Sequence, residues 1–165
     1  MPEQRTLERA RKAKREGKSP KTQAGEFVRE EIEHVRSGKH GARSTKQAIA
    51  IGLSKARKAG IDLPPPAKGK ASEKTRRSAA RAYAQGQSSH SHKTSPTRSR
   101  AIRGVLKREP HQAASSGALA RQAKQAAGQR TASERSASAR KGMRKRSADE
   151  RSASARKAAR TRARS

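Results

Sequence analysis

Large apolar side chains crowd into the first third of this chain, and they recur there at helical spacing. Ala24, Phe27, Val28, Ile32 and Val35 predict a helix over 21–36. Ser19-Pro20 before it reads as a cap followed by a first-turn proline, and Gly38 as its stop. A second stripe runs through "RSTKQAIAIGLSKARKAG", residues 43–60, where Ile49, Leu53 and Ala56 are widened by Ala48 and Ile51. It predicts a helix over 45–59. Ser44 and Gln47 have capping-box spacing, and Gly60 suits a left-handed stop with Ile61 folding back on Ala56. Gly52 inside this helix costs about 1 kcal/mol relative to alanine. Such a cost is offset where another helix comes close. Residues 3–16 form a third candidate helix whose stripe, Leu7, Ala10 and Ala13, is so thin that it needs a surface to dock on.

Beyond "LPPPAKGK", residues 63–70, the pattern thins. Three prolines and a glycine read as a linker over 64–70. Residues 72–85 form a short helix stopped by Gly86, and 85–99 a polar linker. Ile102, Val105 and Leu106 give 98–108 a weak apolar side, and Leu119 stands alone in an Ala/Gln-rich stretch. A cationic unit then repeats with a period of 16 residues: "ERSASARKGMRKR" at 134–146 and "ERSASARKAARTR" at 150–162. No core residue repeats with it, so it is not a solenoid. The fold class expected is all-α: a helix–loop–helix module in 1–63, then a basic Ala/Arg/Ser-rich region, 71–165, largely disordered or fraying-helical.

Composition sharpens this division. Of 48 hydrophobic residues among 165, 31 are alanine and only 13 are Ile, Leu or Val. Alanine favours helix but buries little area. The small core points to support from a second copy, a homodimer contact through the helical module, or from binding. The formal net charge is +30. Residues 1–63 carry 16 Lys/Arg against 8 Asp/Glu; residues 64–165 carry 27 against 5. A charge this large opposes compaction and attracts polyanions.

Candidate chemistry is sparse. The chain has no cysteine, phosphate-binding glycine loop or dinucleotide fingerprint, so neither an enzyme nor a cofactor is expected. His90 and His92 are two nearby histidines without further ligands, so no metal is expected either. His40 sits in a basic loop. Glu26, Glu30 and Glu33, spaced i, i+4, i+7, read as a solvated acidic stripe, a face for a protein partner, or an internal counter-charge. No apolar stretch approaches the roughly 20 residues of a membrane helix, and the N-terminal segment has no signal-peptide core. A cytoplasmic location, at the bacterial nucleoid, is the expectation.

"GKHGARSTKQAIAIGLSKARKAGIDLPPP", with the preceding "KSPKTQAGEFVREE", resembles a family of small basic bacterial proteins of uncharacterised function. The likeness covers 18–66 and is most specific at 45–60, a Ser/Thr-Lys-Gln-Ala-Ile-Ala-Ile block followed by Leu-Ser-x-Ala-Arg-Lys-Ala-Gly. It implies a bacterial cytoplasmic protein loosely described as DNA-binding, and no catalytic residues. The tail resembles histone-like basic tails in composition only.

The function expected is double-stranded DNA binding by phosphate neutralisation without sequence reading. Lys39, Arg43, Lys46, Lys55, Arg57 and Lys58 are the module's candidate contacts. Arg135, Arg140, Lys141, Arg144, Arg151, Arg156, Lys157 and Arg160 are the tail's. Alternatives are an RNA- or ribosome-associated protein, a helix-turn-helix reading the major groove, and a protein-interaction module using the acidic face. Single-strand modules stack bases on aromatic rings, and only Phe27 and Tyr83 are present.

Overall fold

The computed structural model describes residues 2–88, 95–144 and 146–163, so His90 and His92 lie outside the described residues. The described residues are all-α: eight α-helices, one 3-10 turn and no strand. The helices are α1 (Gln4–Arg15), α2 (Pro20–Arg36), α3 (Thr45–Lys58), α4 (Glu73–Gln87), α5 (Pro96–Arg108), α6 (Ser116–Gly128), α7 (Ala132–Arg144) and α8 (Ala148–Arg162), with the 3-10 turn at Gln112–Ala114. They fall into two compact units, Met1–Gln122 and Ala123–Ser165, and α6 spans the division. Residues 64–70 lie within the first unit. No helix among the described residues is long and apolar enough to cross a membrane.

Local signals set the central pair. Ser19 accepts a hydrogen bond from the Thr22 amide and Pro20 opens α2, filling a position whose N–H would have no helical partner. Ser44 accepts from the Gln47 amide at 3.2 Å, while the Gln47 side chain accepts from the Arg43 amide at 2.7 Å. The helix ends at Gly60, φ +82°, with the Ile61 amide bonded to the Ala56 carbonyl. α2 and α3 pack closely because Gly52 has no side chain: a Cβ there would sit 2.7 Å from the Val28 Cα and 2.9 Å from the Phe27 carbonyl.

The core consists of two small clusters. At one end Phe27, fully buried, meets Ala10 of α1, Ala24, Ala56 and Leu63, with Leu7, Leu53 and Ile61 at the edge. Burying such a ring contributes about 1.5–3 kcal/mol, and it explains why the thin stripe of α1 forms a helix here. At the other end Ile32, Val35, Ala42 and Ala48 surround Ala113 and Ala114.

That second cluster draws on residues the sequence pattern leaves unassigned. The 3-10 turn is pinned by the Thr45 hydroxyl donating to the Ala113 carbonyl at 2.6 Å and by Arg36 Nε donating to the Ala114 carbonyl at 2.8 Å. His111 Nδ1 lies 3.0 Å from the Val35 carbonyl. The amides of Gly41 and Ala42 donate to the carbonyls of Leu106 and Pro110. Small side chains permit these backbone approaches. α4 likewise packs on α3 through Ala79 and Ala82, and it runs through Gly86, where a Cβ would overlap the Arg57 carbonyl.

The region expected to be largely disordered or fraying is helical over most of its described length. Its start signals explain the difference. In α8, Ser147 accepts from the Glu150 amide and the Glu150 carboxylate accepts from the Ser147 amide, a complete capping box. Thr131 and Glu134 make the same reciprocal pair ahead of α7. The correspondence continues inward: Arg135 donates to the Arg130 carbonyl as Arg151 does to Arg146, and Ser138 to Glu134 as Ser154 does to Glu150. The structural repeat therefore begins at Arg130 and Arg146, four residues before the identical ERSASARK block.

Candidate functional site

Beneath the α2–α3 contact lies a cluster of charged groups. Glu30 and Glu31, adjacent on α2, are 3% and 1% exposed. Lys55 enters from α3 and places Nζ 2.5 Å from Glu31 Oε2 and 3.4 Å from Glu30 Oε1. His40, from the α2–α3 loop, brings Nε2 to 3.1 Å from Glu31 Oε1. Its other ring nitrogen lies 3.0 Å from the Gly41 carbonyl; a carbonyl only accepts, so Nδ1 carries a proton. Both oxygens of Glu31 face these side chains, yet neither accepts a hydrogen bond of ordinary geometry.

The N-terminus closes the cluster. The Glu3 amide donates to Glu30 Oε2 at 3.2 Å, and Glu3 Oε1 lies 2.8 Å from His34 Nε2 and 2.7 Å from Lys39 Nζ. Lys39, with His34 beside it, holds the exposed Glu3 carboxyl at a pKa of about 2, against an ordinary 4.5. The rings of His34 and His40 meet edge to face, centroids 6.0 Å apart.

These contacts redraw the acidic stripe. Glu30 is buried under Lys55, Glu33 pairs with Arg29 at 2.9 Å, and Glu26 is half-buried. They form no continuous solvated face. Glu31, absent from the i, i+4, i+7 series, is the most buried carboxylate. Its signal in the sequence is its helical alignment with Phe27 and Val35, four residues away on either side.

The module's candidate cations separate into two groups. Arg43, Lys46 and Lys58 are exposed, and Lys39 stays half-exposed beside Glu3. Lys55 and Arg57 point inward. Arg57 is 6% exposed and donates from Nε to the Leu63 carbonyl at 3.0 Å and from Nη2 to Pro64 at 3.4 Å. Burial pulls its guanidinium below the ordinary arginine range. These two side chains secure α3 to α2 and to the segment that follows it, and leave the candidate interface.

In the second unit Arg135, Arg140, Lys141, Arg144, Arg151, Arg156, Lys157 and Arg160 are all exposed on α7 and α8. Residues 123–165 carry 14 Lys/Arg against three Asp/Glu, a net of +11. At 100° per residue, Arg156, Lys157 and Arg160 share one 100° arc of α8, while Arg151 lies on the side opposite Arg160. Of the two aromatic rings Phe27 is buried, and Tyr83 is partly exposed with its hydroxyl donating to Asp62 Oδ1 at 2.7 Å.

Residues 11–68 match a family of unknown function, DUF6496. The match spans 58 of the 165 residues, from within α1 to the segment after α3. No curated protein and no solved structure matches the chain.

Proposed function

We propose that this protein binds double-stranded DNA by neutralising phosphates, without a catalytic step and without reading sequence. The observation that carries this reading is the placement of charge. The module turns Glu3, Glu30 and Glu31 toward its own lysines and histidines, while the basic side chains of α7 and α8 face solvent. Repeated cationic helices with arginines on opposite sides suit a phosphate backbone approached from more than one side. Each phosphate neutralised releases condensed counterions, so affinity falls steeply with salt.

The helix geometry supports this mode over major-groove reading. α3 is packed by α2 on one side and α4 on another, which leaves Lys46, Ala50 and Lys58 as its exposed positions. With Phe27 buried, only Tyr83 keeps a partly exposed ring, too few for the base stacking that holds a single strand, which favours a duplex.

Binding of the full-length chain to duplex DNA, single-stranded DNA and structured RNA, each titrated with salt, tests the reading. Duplex DNA should bind at least as tightly as the others, with similar affinity across unrelated sequences. A marked preference for structured RNA gives the ribosome- or RNA-associated alternative; affinity unmoved by salt removes both. The truncation to use ends after Gln122, because a cut at the proline linker would also remove Ala113 and Ala114 from the core.

A further inference from the structure

The structure assigns a divalent transition-metal site to Glu31, His34 and His40, under the N-terminal segment of the first unit. The three side chains come from α2 and the loop after it, and one ligand atom from each lies within 4.8 Å of the others. Glu31 Oε1 and His40 Nε2, 3.1 Å apart, are already near the roughly 3.3 Å between neighbouring ligands of a tetrahedral ion with bonds of about 2.0–2.1 Å. His34 completes the set by turning from Glu3.

Three further features match a ligand set. His40 donates Nδ1–H to the Gly41 carbonyl, the outer bond that metal-bound histidines make and that aims Nε2 inward. Glu31 divides its oxygens: Oε2 faces Lys55, leaving Oε1 toward the histidines. Lys55 thereby steadies the carboxylate without occupying the ligand position. Finally, Glu31 is 1% exposed and neither of its oxygens accepts a well-formed hydrogen bond. Around it, three carboxylates (Glu3, Glu30, Glu31) face two ammonium groups (Lys39, Lys55), so the carboxylates are one in excess of the lysines.

Two imidazoles and one carboxylate select zinc-like ions over calcium or magnesium, which prefer all-oxygen shells. The three ligands leave a fourth position for solvent or for Glu3.

The test titrates the untagged full-length chain carrying His90→Ala and His92→Ala with zinc chloride by calorimetry. One zinc ion per chain is expected. His34→Ala or His40→Ala in that background should weaken it by ~10-fold or more, and millimolar magnesium should not displace it. Because removing His40 could disturb the loop, imidazole nitrogen shifts are also followed in the parent chain. Zinc should move the His34 and His40 resonances and spare His111. No binding in the parent chain, undiminished binding after either histidine is removed, or shifts confined to His111 would each overturn the assignment.

Discussion

Lys55 of α3 reaches Glu31 of α2 about one turn from the close approach of Gly52 to Val28, Nζ to Oε2 at 2.5 Å, with the carboxylate 1% exposed. A buried pair of this kind is costly to break from one side, because the partner stays charged without its counter-ion. Lys55→Met should destabilise the protein by about 3–5 kcal/mol in urea unfolding. Adding Glu31→Gln should recover part of that loss, since the buried charge goes with it. Equal stability of Lys55→Met and the parent chain would show that the pair is open to water.

Gly52 tests the same contact sterically. Its Cβ would lie 2.7 Å from the Val28 Cα, a backbone atom that cannot move aside. Alanine gains about 1 kcal/mol of helix propensity, while forcing two backbones apart costs about 1–3 kcal/mol. Gly52→Ala should therefore lower Tm. A rise in Tm would mean that α2 and α3 separate easily.

Glu3 links stability to acid. Its carboxyl is held at about 2 in the folded chain, against 4.5 in its ordinary state, chiefly by its bond with Lys39. A lowered folded-state value means that the contribution is complete above 4.5 and fades as pH falls toward 2. Protection of the α1 amides relative to their intrinsic exchange rates should fall over that window, and Glu3→Gln should flatten the dependence. A profile unchanged by the substitution would separate Glu3 from the docking of α1.

The helix pair was legible because three independent signals coincide in it: apolar spacing through Phe27 and Ile49, caps at Ser19 and Ser44, and stops at Gly38 and Gly60. The buried cluster was less so. Glu30 carries the spacing of a solvated stripe, and only the approach of Lys55 and the Glu3 amide in space turns it inward. Lys55 and Arg57 read as surface cations because charge alone does not tell a phosphate contact from an internal strut. Ala113 and Ala114 escaped notice for a different reason. A core completed by alanines and backbone carbonyls leaves no large apolar residue to find. In the tail, self-repulsion of arginines argued for disorder, while the threonine and serine three residues before Glu134 and Glu150 already encoded two helix starts.

Those starts can be removed singly. Thr131→Ala and Ser147→Ala each delete one cap, worth about 1 kcal/mol. Short helices without tertiary support sit near their coil transition, so losses of that size should lower helical Cα chemical shifts over 132–144 and 148–162 respectively, each confined to its own helix. Loss across both helices from one substitution would reveal that they form as a unit.

The division between inward and outward cations predicts unequal roles in binding. Replacing Arg156, Lys157 and Arg160 with glutamine removes three exposed charges from α8. If all three meet phosphates, the slope of log affinity against log salt should shrink by about 2.7, from roughly 0.9 per phosphate. Arg57→Gln should leave that slope unchanged while lowering stability, because its guanidinium is held by the Leu63 and Pro64 carbonyls. The comparison separates local contact from a diffuse effect of net charge. A diffuse effect would let Arg57 count as much as any one of the three, whereas contact makes the α8 side chains dominate in duplex binding measured at several salt concentrations.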